Sequence, residues 1–326
     1  MKRYLLWLLM VFLLVGCANN NDNIIKKITK KYDNLKGYHL DGELSIMRGD
    51  ATYTYDVDAS YLKDDYYRVS LTNTINNHEQ IILRNDTGIY VLNPSLNKSY
   101  KFDSDWPNNN SGVYLPGIII KDIKNDDNRS IKKIKNGYTI KSKVNYINNS
   151  SLKYQLVYFN NDLNIIKVEV YDDKDNVVMK MVFDSFEDNT NYDTSYFSLK
   201  SNNENGELEK TTSKIEDVIY PMYLPVNTYL TNQEKIETND GERVIMNFEG
   251  DSSFILVEET INIPNELETN LVYGEPDIIL DTVGFVTDYS VSWMSNGIEY
   301  YLISNDMDIE QMMSVASSIN VLAVGK

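Results

Sequence analysis

The chain has 326 residues, 42% hydrophobic and 24% charged, with 48 Asp and Glu against 31 Lys and Arg for a formal net charge of −17. An acidic balance of this size argues against nucleic acid as a partner and against broad adhesion to anionic lipid, both of which are themselves negative. The length exceeds one typical domain, so two domains are the default expectation.

Lys2 and Arg3 open the chain, and Tyr4 to Val15 follows as an almost unbroken apolar run. It is too short to span a bilayer as a helix but suits the core of a secretory signal. The run ends in Leu14-Val15-Gly16-Cys17, which places Leu at −3, Gly at −1 and Cys at +1 of a lipobox. Small residues there admit the signal peptidase, and the thiol accepts diacylglycerol. Cys17 is also the only cysteine, so no disulfide can form within the chain. Two acyl chains give stable anchoring where one is marginal, at roughly 0.8 kcal/mol per buried methylene. Residues 1–16 are therefore expected to be a signal peptide and 17–23 a lipidated N-terminus with a polar spacer. The mature protein would be tethered through diacylglyceryl Cys17 to the extracytoplasmic face of the cell membrane. Removing Lys2 and Arg3 leaves 29 basic residues against 48 acidic, a net of −19. Richness in Asn, Lys, Ile and Tyr points to a low-GC, Gram-positive source.

In "IIKKITKKYDNL", Ile24, Ile25, Ile28, Tyr32 and Leu35 recur at helical spacing, while Lys26, Lys27, Lys30 and Lys31 sit mostly elsewhere on the wheel. A solvated face of a helix packed on the domain explains these lysines better than a face lying on headgroups. After Gly37 the period becomes two. Leu40, Leu44 and Ile46 alternate with Asp41, Glu43 and Ser45; Tyr53, Tyr55, Val57 and Ala59 alternate with Thr54, Asp56 and Asp58; Tyr67, Val69 and Leu71 repeat the pattern, as do Ile166, Val168 and Val170. Strands with one wet and one dry face belong to antiparallel sheets. The breaks at 48–50, 63–65, 85–88, 93–97, 160–164 and 172–176 carry turn residues, so consecutive strands should form a meander. The segment from Trp106 to Asp126 interrupts it with Tyr114, Leu115, Ile118, Ile119, Ile120 and Ile123, read as a short helix or buried flap with Pro116 and Gly117 at its start. "NYDTSYFSLK" reads as a closing edge segment.

Residues 24–200 are thus expected to form one domain, 201–214 a polar linker, and 215–326 a small α+β domain of three or four strands. A C-terminal helix should close it, with Asp308 as N-cap and Ile309, Met312, Met313, Ala316 and Ile319 as its apolar stripe. The fold class is mainly β, a β-rich α+β arrangement.

No catalytic or metal-binding signature appears. His39 and His78 stand far apart in the sequence, and there is no H-E-x-x-H, C-x-x-C, G-x-S-x-G, P-loop or dinucleotide fingerprint. His78-Glu79 would point to opposite strand faces, which favours a turn or edge role over an acid–base pair. The acidic turns "NDDN" and "DDKDN" lack the Gly and distal Glu of a calcium loop. Trp293 reads as core, and Trp106 as packing in a polar loop, with a cavity gate as the alternative. No catalytic residue, metal ligand or cofactor is therefore assigned, and the chain reads as a binder rather than an enzyme.

The strand block "YYRVSLTNTINNHEQIILRNDTGIYVLNPSLNKSYKF" resembles the lipoprotein-carrier superfamily of LolA, LolB and RseB. The matching elements are Tyr67 to Leu71, Glu79 to Leu83, Gly88 to Pro94 and Lys98 to Phe102. "NNHEQIIL", "NPSLNKS" and "SDWP" are similar to clostridial outer-membrane-lipoprotein-sorting-like and GerS-type germination lipoproteins. The resemblance implies a LolA-like, half-open antiparallel β-barrel with covering helices and an apolar cavity, and no catalytic residue. Tyr53, Tyr55, Val57, Val69, Leu71, Trp106 and Ile119 would contact a hydrophobic acyl, lipid or lipopeptide ligand. Arg68 and Arg84 are candidates for the arginine that holds LolA-type carriers closed. The alternative implied by RseB and GerS is a regulatory partner of an envelope protein, either an anti-sigma factor or a cell-wall hydrolase.

Overall fold

The alternation of dry and wet residues sets the architecture of the computed structural model, which describes residues 22–48, 51–108, 112–203, 214–239, 241–279 and 281–319. The signal peptide, Cys17, most of the spacer and most of the expected linker lie outside the described residues.

Two meanders build the first sheet. One runs through β1 (Gly37–Arg48), β2 (Ala51–Leu62), β3 (Tyr66–Asn73), β4 (Glu79–Asn85), β5 (Gly88–Asn93) and β6 (Lys98–Phe102). The other runs through β7 (Ser130–Ile134), β8 (Gly137–Lys143), β9 (Leu152–Phe159), β10 (Ile165–Asp172) and β11 (Val177–Asp188). They join where β1 pairs antiparallel with β11, Leu44 opposite Met181. A strand from the C-terminal segment, β15 (Glu268–Val272), adds parallel to β6 and completes the order β15-β6-β5-β4-β3-β2-β1-β11-β10-β9-β8-β7. β15 and β7 are its two edges, so the sheet is a half-open barrel.

The inner face is apolar because Leu40, Leu44, Val57, Val69, Val91, Val157 and Val168, each at an alternating position, are 0–2% exposed. It is covered from three directions. Helix α1 (residues 22–33) brings Ile25, Ile28 and Tyr32, and α2 (Pro116–Asn125) brings Ile118, Ile119, Ile120 and Ile123. The second sheet contributes Val283, Phe285 and Met294 to the same core. Lys26, Lys27 and Lys30 of α1 are exposed, the solvated face expected of them. Pro at N1 of α2 supplies a preset φ without wasting a donor.

The second sheet is antiparallel throughout, in the order β12 (Thr228–Thr238), β13 (Gly241–Gly250), β14 (Phe254–Thr260), β19 (Ile298–Ile303), β18 (Ser290–Ser295), β17 (Thr282–Val286), β16 (Glu275–Ile279). These seven strands exceed the three or four expected. β17 gave no alternating signal because all five of its residues are buried between the two cores. α4 (Ile309–Ala316) closes the sheet, with Asp308 and Gln311 forming a capping box and Met312, Met313, Val315 and Ala316 buried.

"NYDTSYFSLK" is not an edge strand. Asp193 accepts from the Ser195 N–H at 2.9 Å and starts a short 3-10 turn, Thr194–Phe197, followed by α3 (Leu199–Asn203). Local capping by Asp and Ser outcompetes a ladder here. The strap crosses the outer face of the sheet, where Leu199 and Leu267 cover Ile81, Leu83, Tyr90 and Leu92.

The join of the two meanders carries a bulge at Asp41/Gly42. A Cβ on Gly42 would lie 2.2 Å from the Val182 carbonyl oxygen, which is backbone and cannot rotate away. Gly42→Ala is therefore expected to cost about 1–3 kcal/mol in urea unfolding. An unchanged midpoint would mean that the bulge relaxes freely.

Candidate functional site

Six of the seven residues expected to contact a ligand pack into the first core. Tyr55, Val57, Val69, Leu71 and Ile119 are at most 2% exposed, and Trp106 is 5% exposed. Tyr53 is half-buried and bridges the two cores. The side chains of α1, α2 and the second sheet already occupy the inner face, and one enclosed space of about 40 Å³ remains there. Ligand pockets for drug-sized molecules run to roughly 300–1,000 Å³, so this one holds water-sized contents in the conformation seen. Of the seven, only Trp106 lines it, together with Leu44, Ile82, Tyr114, Met179 and Asp277.

Arg84 holds the loop over that space. Its guanidinium donates to the Trp106 carbonyl and lies 3.4 Å from Asp65 and 3.6 Å from Asp105. Arg68 does something else: it points to the outer face, 2.6 Å from Asp58 and 2.7 Å from the Asn202 side chain. Asp277 is the cavity's one carboxylate. Desolvation pushes it above the usual carboxylate range, while hydrogen bonds from Asn148 at 2.9 Å and the Ile278 N–H at 2.7 Å pull the other way.

Two open clefts follow the seam between the sheets. One, about 210 Å³, is lined by Asn76, His78, Asp281, Thr282 and Ser295. The other, about 400 Å³, lies between Lys98 and Tyr100 on β6 and Glu259, Glu299 and Tyr301 on the second sheet. Glu299 pairs with Lys98 at 3.7 Å and accepts from the Tyr100 hydroxyl at 3.3 Å, so its polar groups answer one another. Burial drives the Tyr100 phenol well above its ordinary value, which leaves it a donor rather than a base.

The outer face carries a group that the sequence reading did not assemble. His39 and Asp41 are two apart on β1, and register places Asp58 of β2 opposite Asp41 and Ser60 opposite His39. His39 Nδ1 lies 3.2 Å from Ser60 Oγ, while Nε2 lies 3.6 Å from Asp41 and 3.7 Å from Asp58. A serine, a histidine and an aspartate together suggest acyl transfer, but the geometry refuses it. Ser60 is fully buried, and its oxygen accepts from the Tyr192 hydroxyl at 3.0 Å with the Tyr196 hydroxyl at 3.3 Å. No substrate carbonyl can reach it. The only sequence signal for this group was a polar run on the wet side of two neighbouring strands.

In the second core, Glu258 is 1% exposed, its Oε1 accepts from the Ile219 N–H at 2.9 Å, and its Oε2 has no partner. Burial pushes its carboxyl up to about 7. It is packed within the second core, so it reads as a buried acid rather than a general base.

The family described as "Sporulation protein YdcC-like" matches residues 1–197. Sporulation protein YdcC of Bacillus subtilis (strain 168) is 35% identical over 318 residues, covering 96% of this chain and 94% of that protein. Among solved structures, the CwlD amidase from Clostridioides difficile in complex with the GerS lipoprotein matches at 20% identity and a TM-score of 0.31, over 51% of this chain and 94% of the matched chain. A LolA superfamily protein from Nitrosomonas europaea matches at 11% identity and a TM-score of 0.33, over 56% of this chain and 98% of that one. The resemblance to LolA-type and GerS-type proteins expected from the strand block recurs among these matches.

Glu258 makes stability depend on pH. Between its ordinary value of 4.5 and about 7 the folded state keeps a proton that the unfolded chain has released, so stability falls as pH rises through that window. Above the window the cost levels off at up to about 3 kcal/mol. Glu258→Gln should flatten the slope between pH 5 and 7 in denaturant titrations at a series of pH values (about two units spanned). A slope that survives the substitution would assign it to another group.

Proposed function

This chain belongs to the family of YdcC-like sporulation proteins, and from that membership we propose that it serves sporulation as a non-enzymatic lipoprotein on the extracytoplasmic face of the membrane. Diacylglyceryl Cys17 tethers it, and its work is to hold an envelope protein. With the inner face filled by the chain's own residues, a protein partner is favoured over the hydrophobic ligand.

The observation that carries this reading is an exposed apolar stripe leading into the second sheet. In "PMYLPVNTYL", Pro221 and Pro225 are buried and fix the segment, and the Met222 N–H donates to the Ser318 carbonyl at 3.2 Å. The residues between turn outward: Met222 and Val226 are each 80% exposed and Tyr229 is 61% exposed, with Tyr223 beside them. Contiguous exposed apolar residues of this kind mark interaction surfaces. They stand in an anionic setting, since Val244 to Gly325 contains fourteen Asp and Glu and no Lys, Arg or His. The partner would therefore present apolar side chains ringed by basic ones.

Binding a hydrophobic ligand is the second reading, favoured by one observation, the space under Trp106 that Arg84 keeps covered. An acyl chain would need the Trp106 loop and α2 to swing aside.

Crosslinking and affinity capture from the native sporulating envelope tests the first reading. One stoichiometric protein should be retained at low ionic strength and weakened at ~0.5 M salt, where the Debye length falls to about 4 Å. It should be lost with Met222→Glu and Tyr229→Glu, exposed positions where the fold tolerates charge. Failure of both variants to reduce capture would move the interface elsewhere. Native mass spectrometry of the same preparation reads the alternative, because co-purifying lipid would restore the ligand reading.

A further inference from the structure

We propose that His39, Asp41 and Asp58 bind a divalent transition-metal ion of the zinc class on the outer face of the first sheet. Their ligand atoms, His39 Nε2, Asp41 Oδ1 and Asp58 Oδ2, lie within 4.8 Å of one another. Zinc sits at about 2.0–2.2 Å from nitrogen and oxygen ligands, so two ligands at a tetrahedral angle stand roughly 3.4 Å apart. The 3.6 and 3.7 Å separations from Nε2 are close to that spacing and too long for hydrogen bonds.

What distinguishes the trio from ordinary exposed carboxylates is that each ligand is held by its other atom. Asp41 Oδ2 accepts from the Ser185 hydroxyl at 2.7 Å, and Asp58 Oδ1 accepts from Arg68 at 2.6 Å. His39 Nδ1 meets Ser60 at 3.2 Å, and Ser60 is itself fixed by Tyr192 and Tyr196. Arg68 in turn is anchored by Asn202 at 2.7 Å. Outer partners of this kind orient metal ligands and set which histidine nitrogen is free. The three remaining atoms converge, and the side chains are 26%, 51% and 41% exposed, which leaves coordination positions open to water or to a partner's side chain.

The donor set selects the ion class. One imidazole with two carboxylates suits Zn²⁺ and, more weakly, Mn²⁺, whereas Ca²⁺ and Mg²⁺ prefer oxygen alone. Arg68 faces Glu79 at 3.6 Å as well as Asp58, so it offsets one of three carboxylate charges, and a divalent ion neutralises the two that remain. The ion would pin β1 to β2 directly, and through Ser60 and Arg68 it would stiffen the strap that runs over them.

The test uses the full chain in detergent, stripped with a chelator and titrated calorimetrically with Zn²⁺, then Mn²⁺, then Ca²⁺. One saturable equivalent of Zn²⁺ is expected, with Mn²⁺ weaker and Ca²⁺ undetected. His39→Gln and Asp41→Asn should each weaken Zn²⁺ at least tenfold, and Ser185→Ala, which removes no ligand, about 10–100-fold. Glu43→Gln, on the same strand face but outside the set, should change nothing. Absence of a saturable equivalent, binding that His39→Gln leaves intact, or equal uptake of Ca²⁺ would overturn the assignment. So would His39 ring resonances that Zn²⁺ leaves unmoved.

Discussion

A twelve-stranded sheet with one continuous apolar face has to be covered across its whole width, and the rest of the chain is arranged to do it. Each Val, Leu or Ile on that face contributes about 1.5–3 kcal/mol when buried and nothing when wet. One helix cannot span a dozen strands. Helices α1 and α2 cover part of the face, and the second sheet is drawn in over the remainder. Phe285 from β17 enters between the rings of Tyr100 and Phe102, with centroids 4.4 and 5.3 Å away. Gln80, fully buried, donates to the Val283 carbonyl at 3.1 Å and accepts from the Thr282 hydroxyl at 2.8 Å. β15 then leaves the C-terminal segment to pair with β6, so that segment contributes backbone hydrogen bonds to the first sheet as well as packing. A boundary between domains drawn from sequence composition near residue 201 is crossed by every one of these contacts and predicts none of them.

Filling the inner face in this way changes what the fold can do. Arg84 and Trp106 keep a lid over a space that holds only water-sized contents, and the open clefts along the seam have polar walls whose groups already pair. The outward surfaces remain open to solvent. These are electrically unequal. Exposed lysines sit on α1, while the C-terminal sheet and its helix carry many acids and, as bases, Lys235 and Arg243, each paired with a glutamate. A molecule tethered near α1 would present the acidic end away from an anionic bilayer, since that end is repelled by it.

Much of this was legible in the sequence, and the reason is local. Period-two alternation gave β1, β2, β3 and β10, the Asp308 cap gave α4, and the isoleucine cluster gave α2. Each signal depends only on residues within a few positions of one another. What escaped depended on register or on distant partners. β17 is buried on both sides and so shows no alternation; β15 is polar by itself and becomes a strand by finding β6. The strap at 192–203 was read as an edge because its aromatics suit strands, yet Asp193 and Ser195 turn it locally. The residues expected to contact a ligand pack into the first core, and no periodicity reveals what fills the space opposite them.

The donor trio shows the same limit most sharply. His39 and Asp41 are legible as neighbours on one strand face, but Asp58 joins them only once β1 and β2 pair with Asp41 opposite Asp58. A slip of one residue in β2 would carry Asp58 to the face opposite His39 and Asp41. That register is fixed by burial of Leu40, Val57 and Ala59 on the inner side, so the core determines the geometry of the outer cluster. The same pairing sets Ser60 beside His39, and the β2–β3 pairing brings Arg68 to Asp58, which ties the strap to the sheet.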